Sequence, residues 1–201
     1  MTKNITTIEG GALTTNDPAI AVQVERLALH GLSLGAWQRF CDTEFRHYEV
    51  VRPGHKYNMT DAQAAVVLHQ LPQLDGWIDR RAELWERYDV LLQNLPLRIP
   101  AAPEPGTRHA RHLYSVLLDP ESHLTRDELI NGLSARRIGI GVHYRGVHQY
   151  PFYREKYGIS ERDFPVATAI SERTLSLPLS PKVTEADQDD VVAALARLLG
   201  G

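Results

Sequence analysis

The sequence predicts a mixed α/β chain. Two observations carry that reading. From Leu95 onward, β-prone runs alternate with capped helical runs in the order β-α-β, loop, α-β-α, which suggests a small sheet with helices on one face. Before Leu95 the only regular runs of any length are helical, and the last of them is long enough to act as a connector between two bodies. The 201 residues are 43% hydrophobic, 23% charged and 7% aromatic, close to ordinary globular usage, and length alone favours one or two domains. We expect residues 1–78 to form one body, and the connector helix with the C-terminal part, residues 79–201, to form the other.

Taken in order, Lys3 to Thr15 is rich in Thr, with Glu9-Gly10-Gly11 as a turn, and reads as a hairpin or strand-turn. Asn16-Asp17-Pro18 supplies a polar cap and a proline at a first-turn position, so a helix should run to about His30. Ile20, Val24 and Leu27 share one face, and Gly31 sits where a left-handed terminal residue is wanted. Leu32 to Gly54 carries Trp37, Phe40, Phe45, His47 and Tyr48 without a period and reads as a long functional loop or covering arm. Thr60 and Gln63 make a capping box for a helix over Ala62 to Leu71. Pro72 interrupts it, and a helical stripe from Leu74 through Leu91 resumes at once.

Leu95 to Gly106 has loop chemistry. His112 to Leu118 reads as a strand, Thr125 with Glu128 opens a helix over Arg126 to Arg137, and Ile140 to Tyr144 reads as a second strand. A loop rich in His and Tyr follows. Then come a helix near Pro165 to Arg173, an extended piece at Leu175 to Leu177, and a helix from Glu185 to Leu199 behind Thr184.

Several classes of function are disfavoured. A net charge of -3 and a pI near 6.3 give no basic field for nucleic acid. No apolar run reaches the ~18 to 20 residues of a membrane span, and Met1-Thr2-Lys3-Asn4 does not open a signal peptide, so a cytoplasmic protein is expected. Cys41 is the lone cysteine and reads as a plain free thiol, which leaves neither an internal disulfide nor a Cys-rich zinc site. His109 with His112, or His143 with His148, lack a carboxylate or thiolate to complete a metal set, so no metal is expected.

Three segments carry candidate chemistry. The first is Lys3-Asn4-Ile5-Thr6-Thr7-Ile8-Glu9-Gly10-Gly11. The second is Gly54-His55-Lys56-Tyr57-Asn58-Met59-Thr60-Asp61-Ala62-Gln63-Ala64-Ala65, with Gln70-Leu71 and Arg80-Arg81 downstream. The third is Gly139 to His148, followed by Tyr150-Pro151-Phe152-Tyr153 and later by Leu175-Ser176-Leu177-Pro178-Leu179. On their own, Lys3 reads as a solvated terminus, Lys56 as a turn lysine and His143 as a packed or surface histidine.

In this order and spacing, the segments resemble the DegT/DnrJ/EryC1/StrS aminotransferases, enzymes of amino-sugar biosynthesis that use pyridoxal 5'-phosphate (PLP). The resemblance runs from Lys3 to the end of the chain. It implies the C-terminal part of a PLP-dependent transferase of fold type I, similar to aspartate aminotransferase. Residues 1–78 would then be a remnant of the large PLP-binding domain, and residues 79–201 the connector helix and small C-terminal domain. It implies transfer of an amino group, from glutamate as donor, to a keto sugar carried on a nucleotide, as in building cell-envelope polysaccharide. Lys3 would be the catalytic, cofactor-bearing lysine. Lys56 and Asn58 would lie at the cofactor, and His143, Tyr144 and Arg145 in a loop closing over the nucleotide sugar. The family forms homodimers with shared active sites.

Many members carry Asn and Arg where this chain has Lys56 and Asn58. That turn is more similar to the branch acting on UDP-4-keto-pentose, which makes 4-amino-4-deoxy-L-arabinose for lipid A. Family enzymes also have a phosphate grip, a stacking aromatic and an acidic partner for the pyridine nitrogen upstream of the lysine. The sequence read here starts at that lysine, so the expectation is a C-terminal half that is inactive alone. A non-catalytic fragment or pseudoenzyme that keeps a dimer or sugar-binding surface is the alternative.

Overall fold

The computed structural model of the chain describes residues 3–33 and 47–200. Trp37, Phe40, Cys41 and Phe45, which belong to the expected long loop, lie outside the described residues. The chain folds as two compact units, Met1–Leu74 and Asp75–Gly201.

In the first unit, α1 (Pro18–Ala28) begins as the cap predicts: the Asp17 carboxylate accepts from the backbone N–H of Ala19 and Ile20. Its last carbonyls find partners in the later turn. The backbone N–H of His55 donates to Leu27, that of Tyr57 donates to Ala28, and His30 donates back to His55. These bonds satisfy groups that a helix end leaves open, and they fix the Gly54–Asn58 turn against α1. Gly31 has φ +73, and a Cβ there would collide with the Arg52 carbonyl; a Cβ on Gly54 would collide with the backbone of His30 and Gly31. Two glycines therefore permit this backbone contact.

The capping box of α2 (Asp61–Gln70) is present, with Thr60 and Gln63 satisfying each other's backbone N–H. Pro72 falls in a 3-10 turn, Leu71–Gln73, and α3 (Leu74–Leu91) resumes directly.

The expected hairpin at residues 3–15 is not formed; no strand occurs there. The backbone of Thr6 is paired with a side chain instead. Its N–H donates to Gln70 Oε1 (3.1 Å), and Gln70 Nε2 donates to its carbonyl (2.8 Å).

The second unit holds the sheet. Strands β1 (Leu97–Arg98), β2 (Tyr114–Leu118) and β3 (Thr174–Leu177) pair antiparallel in the order β1-β2-β3, with Leu97 opposite Leu118 and Ser115 opposite Ser176. Tyr114, Val116 and Leu118 point to one face of β2. There they join Leu175 and Leu177, Trp85 and Tyr88 of α3 with Leu92 just after it, Leu129 and Leu133 of α4 (Arg126–Ser134), and Val191, Ala194, Leu195 and Leu199 of α7 (Glu185–Leu199). Period two on the strand and a helical stripe on each helix thus meet in one core. Arg81 is buried beside this core and donates to the carbonyls of Arg111, His112 and Leu179, with burial lowering its pKa.

Three local expectations need correction. The helix α4 stops at Ser134, not Arg137, because Arg137 takes the left-handed conformation (φ 62) and Ile138 N–H bonds back to the Leu133 carbonyl. The expected strand at Ile140–Tyr144 shrinks to one bridge, in which Gly141 and Ser176 exchange both backbone bonds. The His/Tyr-rich loop contains a helix, α5 (Pro151–Tyr157), opened by Pro151 and closed by Gly158 at φ 63; α6 (Pro165–Arg173) follows. Residues 151–157 are all exposed, so α5 has no apolar stripe to announce it.

Candidate active site

Lys3, Lys56 and Asn58 belong to the first unit; His143, Tyr144 and Arg145 belong to the second. Lys3 is exposed, three residues before Thr6, and that threonine is tied to α2 by the two Gln70 hydrogen bonds. A second tie runs from Gln63 Nε2 to the Glu9 carbonyl (2.7 Å). The lysine-bearing segment is therefore held on α2 by two amide side chains in place of strand pairing. Lys56 forms an isolated bridge with Leu29, and its neighbours His55 and Tyr57 stack with ring centroids 4.6 Å apart and planes 6° from parallel. Lys56 and Asn58 are exposed. Among the described residues no hydrogen bond or ion pair joins Lys3 to Lys56 or Asn58.

The third segment is built around β3. The Gly141–Ser176 bridge lays residues 141–143 beside the strand, and His143 Nδ1 lies 2.9 Å from Ser176 Oγ. Tyr144, 72% exposed, packs edge-on against His143 with centroids 4.8 Å apart. The Arg145 guanidinium sits 5.8 Å from the centre of the Tyr150 ring. Thus His143 and Tyr144 are brought together, and Arg145 turns to a neighbouring aromatic.

The loop is anchored on its far side. Gly146 N–H donates to Ser171 Oγ, Ser171 Oγ to Gln149 Oε1, and His148 Nε2 pairs with Thr168 Oγ1. His148, Gln149 and Ser171 are buried, so these bonds are made away from water, where leaving one unmade is costly. Gln70 and Ser176 both fall inside the quoted sequence segments, but nothing in one-dimensional spacing shows which distant backbone or ring a side chain will meet.

The residues present fit a cofactor that carries an aldehyde and a phosphate. Two exposed ammonium groups and a side-chain amide lie in one unit. Among the described residues neither Lys3 nor Lys56 makes an ion pair or a side-chain hydrogen bond, so both amines are available. No cluster of three or more His, Cys, Asp or Glu suited to a metal ion occurs among the described residues. None of the described helices is long and apolar enough to cross a membrane.

Comparison with known proteins gives the class, the fold of the PLP-dependent sugar aminotransferases, and then the family. The model of the DegT/DnrJ/EryC1/StrS aminotransferase family matches residues 1–196, and the chain belongs to that family. It is 43% identical to the spore coat polysaccharide biosynthesis protein SpsC of Bacillus subtilis over all of this chain and 52% of that protein. It is 39% identical to MJ1066 of Methanocaldococcus jannaschii, over 98% of this chain and 52% of the other.

Among solved structures it resembles Spr1654 of Streptococcus pneumoniae in its PMP form, with TM-score 0.85 and 25% identity over 98% of this chain and 50% of that one. The PLP form of the same protein matches with TM-score 0.82 and 26% identity, over 98% of this chain and 49% of that one. A family aminotransferase from Brucella abortus matches with TM-score 0.73 and 27% identity, over 93% of this chain and 45% of that one. The chain spans about half the length of these relatives, and over that half the expected α/β transferase fold is met. The family's cofactor is pyridoxal phosphate.

Proposed function

We propose that this chain serves in a PLP-dependent sugar aminotransferase that moves an amino group from glutamate to a keto sugar carried on a nucleotide. One observation carries the reading: the family match spans both the Lys3 segment, pinned to α2 through Thr6, and the His143 loop on β3. In this reading Lys3 binds the cofactor and, freed by the donor, takes and returns a proton at the donor Cα as general base. PLP supplies the electron sink for that proton transfer. The Lys56 ammonium and the Asn58 amide hold its phosphate, and charge-assisted hydrogen bonds make that contact strong. His143, Tyr144 and Arg145 close over the sugar nucleotide, with the Arg145 fork suited to a phosphate or carboxylate. The working enzyme is a homodimer with shared sites.

The test supplies, as a fusion or a separate polypeptide, the part of the family fold outside the matched half, and measures amino transfer from glutamate to a UDP-4-keto sugar. Transfer that disappears in Lys3→Ala supports the reading. Transfer that survives Lys3→Ala by the same route rejects Lys3 as the catalytic lysine.

A further inference from the structure

We propose that Gln149 is a positioning residue of the ligand loop: its buried amide fixes the Arg145–Gly146 peptide against α6 and so sets where Tyr144 and Arg145 stand to meet the sugar nucleotide, a role that rests on the aminotransferase reading above. Gln149 is 5% exposed, and Ser171 is 3% exposed. Gln149 Oε1 accepts from Ser171 Oγ (2.5 Å) and from the Gly146 N–H (3.2 Å), and Gly146 N–H also reaches Ser171 Oγ (2.8 Å). At its other end, Gln149 Nε2 lies 3.4 Å from the carboxylate of Glu161.

These neighbours fix which way the amide points. Two donors, the Gly146 N–H and the Ser171 hydroxyl, converge on one end, so that end is the oxygen. A carboxylate, which accepts, meets the other end, so that end is the NH2. A flipped amide would set donor against donor at Gly146 and acceptor against acceptor at Glu161. The position therefore needs both unlike ends of a glutamine.

The consequence for Arg145 follows from peptide geometry. A planar peptide turns as one body, so holding the Gly146 N–H also holds the Arg145 carbonyl and the bond that leads to the Arg145 Cα. The backbone of Gly146 lies so close to the buried side chains that a Cβ there would collide with the His148 ring. A parallel bond supports the same stretch: His148 Nε2 pairs with Thr168 Oγ1 (2.8 Å), which donates to the Glu161 carbonyl (3.1 Å). Thr168 and Ser171, three residues apart, share a face of α6, and the consecutive residues His148 and Gln149 each take one of the two hydroxyls. Tyr144 and Arg145 are exposed and make no hydrogen bond among the described residues. Their place is thus set from behind, through Gly146.

An exchange of partners tests this. Gln149→Glu keeps the acceptor for Gly146 and Ser171 but turns a second carboxylate toward Glu161, and adding Glu161→Gln restores a donor facing an acceptor. In the 201-residue chain, protection of the Gly146 amide from hydrogen exchange should fall about tenfold in Gln149→Glu, the ratio set by one weak hydrogen bond to a charged group, and should recover in the double variant. Amides of α7 should keep their wild-type rates. Unmoved protection at Gly146, or a double variant no better than the single one, overturns the proposal. If Gln149→Glu does not fold, Ser171→Ala decides by the same amide, with a loss of about fivefold expected and no loss overturning it.

The ligand role is read with the rest of the family fold supplied. In Gln149→Glu the KM for a UDP-4-keto sugar should rise about tenfold as Tyr144 and Arg145 lose their preset places, should return in the double variant, and should not be matched by the KM for glutamate. An unmoved KM for the sugar nucleotide, or an equal rise for glutamate, overturns the positioning role. A wild-type assembly that transfers no amino group would refute the aminotransferase reading and the ligand role with it, while the Gly146 result decides by itself whether Gln149 holds the loop.

Discussion

Replacing Gln70 with leucine should loosen the lysine-bearing segment without unfolding the unit. Gln70 is 5% exposed, and its amide makes both hydrogen bonds of the Thr6 backbone, at 3.1 and 2.8 Å, as well as one to the Val66 carbonyl. Leucine nearly matches its volume, so the cavity term is small. Two hydrogen bonds at about 1 kcal/mol each are lost, and the opening equilibrium of residues 3–8 should rise by roughly 30-fold. Amide hydrogen exchange reads this directly: Thr6 should exchange about 30 times faster in Gln70→Leu, while amides in α7 keep their wild-type rates. Unchanged exchange at Thr6 would refute the idea that Gln70 holds this segment, leaving the Gln63 bond to the Glu9 carbonyl as its tie to α2.

Four further outcomes are expected. Arg81→Met orphans the carbonyls of Arg111, His112 and Leu179 and should cost about 3 kcal/mol in urea unfolding, with Arg81→Lys recovering only part of it. Leu175→Ala, at a fully buried core position, should cost about 2 to 5 kcal/mol by the same assay. Glu128, Asp163 and Asp187 have carboxyl pKa values lowered mainly by backbone N–H groups at helix starts, those of Thr125, Ser160 and Thr184. Their contribution is complete above the unfolded carboxyl range near pH 4 and is lost as pH falls through the folded values. The triple variant Glu128→Gln, Asp163→Asn, Asp187→Asn should flatten that acid limb of stability against pH. Burial raises the pKa of both Tyr88 and Tyr114, so stability is intact below the unfolded tyrosine value near 10 and should fall as pH rises beyond it; Tyr114→Phe should soften that alkaline limb.

What could be read from the sequence was local. Four capping boxes or caps, at Asp17, Thr60, Thr125 and Thr184, start the helices where the residues say, because the cap bonds involve neighbours two or three positions away. The segment at residues 3–15 misled because Thr and Gly spacing suits a strand, yet the partner of Thr6 is a side chain 64 residues on. The two-residue strand β1 was hidden between Pro96 and Pro100. The helix α5 was hidden because its aromatic residues face solvent, and only Pro151 and Gly158 mark its ends. At the site, a resemblance could name Lys3 and His143, but the place of Ser176 beside His143 needed the Gly141–Ser176 bridge, which no spacing displays.

The most direct test of the cofactor lysine is covalent mapping. The chain has only four lysines, Lys3, Lys56, Lys156 and Lys182, so the site of a borohydride-fixed PLP label can be assigned peptide by peptide. With the rest of the family fold supplied, one label per chain is expected, confined to the peptide holding Lys3, and absent from Lys3→Ala. A label spread over the four lysines, or seated on Lys56, Lys156 or Lys182 alone, would contradict the assignment of Lys3.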